Sequence, residues 1–150
     1  MLQAFLLSAV MVVITTAIHM TGLLGLMALT GKHRSRVDSP GHRIELALFI
    51  LAIVLGVFLI HALEVFVFAL AFLALGEIAS FETAVYFSLS TFTTLGMGDI
   101  VLDSHWRILV AVEALIGFLM IGWSTAFLVY VLGKLRTLER AWFVRLGEEE

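Results

Sequence analysis

Three apolar runs decide what this chain can become. They cover about residues 5–29, 44–75 and 108–132. A bilayer core of about 30 Å is crossed by about 20 helical residues, so each run is long enough to span. The first contains a single ionisable residue, His19; the second, past Glu45 at its start, is broken only by His61 and Glu64; the third carries Glu113. With 61% of residues hydrophobic, no soluble domain of 150 residues could cover this much apolar surface. The expectation is an all-α integral membrane protein with three transmembrane helices. The second run exceeds one perpendicular crossing, so that helix must tilt or protrude. The first lacks a basic start and is longer than the apolar part of a secretory leader, about 7–15 residues, so it is read as a retained helix.

The basic residues orient the three spans. Lys32, Arg34, Arg36 and Arg43 sit between the first two runs, and Lys134, Arg136, Arg140 and Arg145 follow the third. Between the second and third runs there is only Arg107. Basic loops stay in the cytoplasm. This puts the 31–43 loop and the C-terminus inside, and the N-terminus and residues 77–106 outside. The chain divides into an N-terminal helix (1–30), a cytoplasmic basic loop (31–43) with a turn at Pro40-Gly41, a central module (44–134) and a cytoplasmic tail (135–150). The loop suits anionic lipid. Leu135, Leu138 and Trp142 recur at helical spacing among arginines, which fits an interfacial helix or a solvated helical end equally. There is no cysteine, and hence no disulfide, thiol catalysis or thiolate metal site. No triad, metal-ligand or phosphate-loop spacing supports an enzyme, and no helix repeats Arg or Lys at every third position as a voltage sensor does. Nothing points to nucleic acid.

Residues 77–106 are too apolar for a solvated loop. Ser80 can cap a helix over 81–92, with Glu82 favourable in its first turn; about three turns are too short to span. TTLGMGD follows directly. Non-helical backbone at membrane depth survives only when buried in protein or lining a water-filled path. A half-helix, a glycine-rich return and then a full span describe a re-entrant pore loop. Glycines alternating with L-residues can turn successive carbonyls to one side, and rings of carbonyls can replace the water shell of a cation.

The stretch FETAVYFSLSTFTTLGMGDI resembles the pore helix and selectivity filter of tetrameric potassium channels. The run WRILVAVEALIGFLMIGWSTAFLV resembles their inner helix. Thr91, Thr93, Thr94, Gly96, Gly98 and Asp99 match the threonine, glycine and aspartate pattern, and the resemblance covers about residues 44–134. It implies a homotetramer around one central pore. Carbonyls of Thr94, Leu95, Gly96 and Met97, with the Thr94 hydroxyl, would line the K+ sites, and Gly98 would close the filter. Thr91 and Thr93 would support it. Asp99 would stand behind the outer mouth near Tyr86 and Phe87. Gly117 and Gly122 fall where the family has a hinge glycine and a small residue in the inner helix. The first helix and the tail lie outside the resemblance.

One position departs from the family. Met97 stands where Tyr or Phe is usual between the filter glycines. The ion meets the Met97 carbonyl, which methionine supplies equally well. The side chain fills space and touches rings through sulfur, but it donates no hydrogen bond. Selectivity for K+ is therefore expected, with admission of Na+ through loosened outer sites as the alternative.

Three further residues and one acid remain. Glu113 in the third span is a candidate support of the pore helix, through Ser88 or Ser90, or a buried acid between subunits. His61 and Glu64 share a helix face, and His19 lies at a similar depth. They are polar glue between helices or a pH-sensitive site; the latter fails if His61→Ala leaves the pH dependence of current unchanged. The functional expectation is a passive cation channel in a membrane, read as a bacterial inner membrane, needing no cofactor beyond the permeant K+ or Na+. A non-conducting subunit or scaffold is the reading from another class.

Overall fold

The computed structural model describes residues 1–33 and 43–148, with side chains described over 1–30 and 44–134. The expected turn at Pro40-Gly41, most of the basic loop, and the tail side chains Leu135, Leu138 and Trp142 lie outside that description. Four helices form: α1 (Leu2–His33), α2 (Arg43–Ala74), α3 (Phe81–Phe92) and α4 (Arg107–Glu148). No strand occurs among the described residues. Three stretches are long and apolar enough to cross a membrane: Leu2–Thr30, Ile44–Ala74 and Arg107–Lys134. At 32 residues α2 is about 48 Å long, well beyond a bilayer core. α4 runs without a break past residue 134 to Glu148, so the tail backbone continues the helix of the third span.

α1 packs antiparallel to α2 and alongside α4, and α3 wedges between α2 and α4 at one end. Two buried clusters hold this arrangement. At the α3 end, Phe68 and Phe72 of α2 meet Phe87 and Phe92 of α3, Leu109, Ile116 and Met120 of α4, and Met11 of α1. Phe72 meets the Phe87 ring edge-on at 5.2 Å between centroids. That geometry suits aromatic quadrupoles. Towards the other end, Leu23 and Leu26 pack with Ile53, Val57, Ile60, Phe127 and Val131. Close approach of α1 and α2 there depends on reciprocal glycines. A Cβ added at Gly22 would lie 2.5 Å from Ile60 Cγ1, and one at Gly56 2.6 Å from Leu26 Cδ2. Small residues let helices associate in lipid, where van der Waals packing replaces the hydrophobic drive.

Candidate functional site

The half-helix α3 is fixed at both ends. At its start Ser80 is extended (φ −121°, ψ 145°), and its Oγ accepts from the Thr83 N–H at 3.2 Å. At its end the Thr93 N–H and hydroxyl both reach the Leu89 carbonyl, at 3.1 and 2.8 Å. Ala84, Phe87, Ser88, Thr91 and Phe92 are buried, so one face anchors the helix in the bundle. Its C-terminal end, which carries the negative end of the helix dipole, leads straight into residues 94–98.

Those five residues alternate in backbone hand. Thr94, Gly96 and Gly98 have φ of +61°, +56° and +77°, while Leu95 and Met97 are not among the positive-φ residues. Glycine takes such angles freely. Thr94 does not: a β-branched residue at positive φ is an outlier that its surroundings must hold. The holding bonds run backwards to α3. Thr94 N–H donates to the Thr91 carbonyl at 2.9 Å, Gly96 N–H to the Ser90 carbonyl at 3.1 Å, and Met97 N–H to the Ser90 hydroxyl at 3.2 Å. Among the described residues no hydrogen bond ends on a carbonyl oxygen of residues 94–98. Amides are spent on one side, and the carbonyls stay free.

Asp99 ends the segment. It accepts from the Tyr86 hydroxyl at 2.9 Å and from the Ile100 N–H at 3.1 Å. The hydrogen bond to this carboxylate pushes the Tyr86 phenol up, because a phenolate there would lose the bond and face a like charge. The Phe87 ring takes another direction. Consecutive helical residues point about 100° apart, and Phe87 turns inward onto Phe72. The return to α4 is tied down where Asp103 N–H donates to Glu77 at 3.2 Å.

Behind α3 lies Glu113, fully buried. Of the two serines weighed as its partners, Ser88 is in reach: its Oγ is 2.5 Å from Glu113 Oε1. The same Oγ is 2.9 Å from the Val65 carbonyl. A hydroxyl has one proton and a carbonyl can only accept. Both contacts are satisfied together when Ser88 donates to Val65 and Glu113 is a carboxylic acid donating to Ser88. The other oxygen, Oε2, has no partner among the described residues, which a neutral acid tolerates far better than a carboxylate. α2, α3 and α4 are thus joined at one point. One turn along α4, Gly117 touches the end of α3 so closely that an added Cβ would collide with the Phe92 carbonyl. A Cβ added at Gly122 would meet nothing of a neighbouring element within 4 Å among the described residues.

His19, His61 and Glu64 meet. Each Nδ1 stands 2.9 Å from its own oxygen of the Glu64 carboxylate. His19 and Glu64 are fully buried, and the His61 side chain is 19% exposed. His61 also faces the Phe92 ring at 5.8 Å, which places the cluster beneath the end of α3. Two roles fall outside those read from sequence, where Ser90 stands only as a candidate partner of Glu113. Ser90 holds Met97, and Ser124 of α4 lies 3.5 Å from His19 Nε2, beside the Trp123 ring. Neither has a sequence signal, since serines are common in such helices and only the fold shows which way they point.

No curated protein and no solved structure matches the chain. The family model described as "Ion channel" matches residues 58–134, just over half of the 150. That stretch takes in most of α2, all of α3, the alternating segment and the spanning part of α4. With a half-helix, a free line of carbonyls and flanking spans in one unit, the chain belongs to the ion channel family.

Proposed function

We propose that this chain is a K+-selective channel in which four identical copies surround one pore, and that residues 94–98 are its selectivity filter. The observation that carries this reading is the alternating backbone of Thr94, Gly96 and Gly98, tied back to α3 and leaving its carbonyls unbonded. A dehydrated cation needs oxygens all around it, and one segment offers them from one side only. Rings of carbonyls from Thr94, Leu95, Gly96 and Met97, completed by the Thr94 hydroxyl, meet that need with four copies. The exposure of Leu95 and Met97, 63% and 61% in the single chain, is then taken up by the neighbouring copy. The unpartnered α4 side chains Leu115, Phe118 and Leu119 have the same explanation.

The ion passes down its gradient with no bond made or broken, so the protein supplies geometry and partial charge. Ser90 and Thr91 hold the filter amides. Tyr86 holds Asp99 at the outer mouth, and Glu113 with Ser88 braces α3 from behind. Met97 supplies its carbonyl, while Ser90 rather than a filter tyrosine anchors its backbone. The orientation follows the basic residues, with the filter outside and the α4 tail in the cytoplasm. Ion flux from K+-loaded liposomes containing this chain alone tests the reading. Flux that needs the chain, and that is lost in Gly96→Ala, supports it; tight vesicles would make the chain a non-conducting subunit.

A further inference from the structure

The filter leaves the His19–His61–Glu64 cluster without a task, and its chemistry is that of a metal site. We propose that these three side chains bind one Zn2+ within the membrane, linking α1 to the pore module. Two imidazoles and a carboxylate form a donor set that borderline divalent metals accept. Ligand atoms, one from each residue, all lie within 4.8 Å of one another. Around Zn2+, with bonds of about 2.0–2.1 Å, neighbouring tetrahedral ligand atoms are about 3.3 Å apart. Side-chain tips therefore close by about 1 Å or slightly more on binding, which rotation about the terminal bonds supplies. Zn2+ has no geometric preference of its own and adapts to such a set.

The proton balance is simple. Without metal, each Nδ1–H donates to one oxygen of Glu64, which as a carboxylate only accepts. When Nδ1 turns to the metal, the ring proton moves to Nε2, and both imidazoles stay neutral. His19 is ready for this exchange. Ser124 Oγ lies 3.5 Å from its Nε2, and a hydroxyl can donate to the bare nitrogen or accept from its N–H. Metal-bound histidines almost always have the second ring nitrogen fixed by such a partner. Lys and Arg stay clear of the depth of Glu64: in the three membrane-crossing stretches the only ones are Arg107 and Lys134, at the two ends of the third. The exposed edge of His61 gives entry, and water there completes the fourth position.

This site does not depend on the filter reading, since a non-conducting subunit would bind zinc equally. The test uses the full chain in detergent, stripped of metal, dialysed against Zn2+ and assayed by mass spectrometry for bound metal. We expect one zinc per chain, and loss of at least nine-tenths of it in His61→Gln. Ser124→Ala should weaken affinity about 10- to 100-fold while leaving the three ligands in place. No zinc on the wild type, or as much on His61→Gln as on the wild type, would overturn the proposal. Should His61→Gln not fold, zinc-edge X-ray absorption of the wild type decides. A shell of two imidazoles and a carboxylate supports the site, and any other shell refutes it.

Discussion

Gly117→Ala is the sharpest single-atom perturbation the fold offers. The added Cβ would overlap the Phe92 carbonyl oxygen and lie 2.8 Å from its carbon and 2.9 Å from its Cα. All three are backbone atoms, so no side-chain rotation relieves the contact. Either α4 or the end of α3 must retreat by about 1 Å to restore van der Waals separation. Overpacking usually costs about 1–3 kcal/mol where side chains can yield, so the upper end of about 3 kcal/mol applies here. The better helix propensity of alanine returns about 1 kcal/mol. The net, about 2 kcal/mol, lowers the melting temperature by roughly 4–8 °C in a chain of this size. Gly122→Ala is the control: with nothing among the described residues within 4 Å of the added Cβ, it should raise the melting temperature by roughly 2–4 °C through propensity alone. Circular dichroism of both proteins in detergent supplies the melting curves, and liposome flux supplies the function. Phe92 is two residues from Thr94, so flux should fall in Gly117→Ala and persist in Gly122→Ala. A Gly117→Ala protein that melts within about 1 °C of the wild type and conducts equally would refute the described packing of α4 on α3. The same pair separates packing from hinging: loss of gating in a stable Gly122→Ala protein would make that glycine a hinge.

Glu113→Gln should melt within about 1 kcal/mol of the wild type, because an amide replaces the neutral acid as donor to Ser88, whereas Glu113→Ala should lose about 2–4 kcal/mol to the cavity left behind; thermal unfolding of the two variants compares them. Ser90→Ala removes the acceptor of the Met97 N–H, at about 0.5–1.5 kcal/mol, and should admit more Na+ in competition flux assays. Tyr86→Phe removes the donor to Asp99 and should shorten openings in single-channel records. The pH sign follows from the raised Tyr86 pKa: the bond is complete below the ordinary tyrosine value and is lost as pH rises through the raised one. Wild-type openings should therefore stay long through ordinary alkaline pH and then shorten towards those of Tyr86→Phe, which itself should not respond over that range.

The elements were legible because lipid leaves a chain few choices. Spans announce themselves by length, and α3 appears at 81–92 because Ser80 caps it and TTLGMGD cannot continue it. Glycine alternation foretold the alternating hand at Gly96 and Gly98. It did not foretell Thr94 at positive φ, since no propensity places a β-branched residue there; the bond from its N–H to Thr91 belongs to the folded loop. Contacts between helices were legible only as options. His61 and Glu64 share a face by spacing, but whether His19 reaches them depends on how α1 docks, and Ser88 or Ser90 as the partner of Glu113 depends on the rotation of α3. That Phe87 packs inward on Phe72 is likewise not legible in the sequence, because the phase of a short helix is set by what its buried face meets. Past residue 134 the charged residues end the span without ending the helix, and of the two tail readings a helical end agrees with the unbroken α4.

The central claim is that carbonyls of residues 94–97 select K+ whatever side chain occupies position 97. Reversal potential under bi-ionic conditions, K+ on one side and Na+ on the other, tests it most directly. The potential should follow the K+ gradient in the wild type and move little in Met97→Tyr. A wild-type potential near zero, unmoved when K+ is changed against balancing Na+, would contradict it.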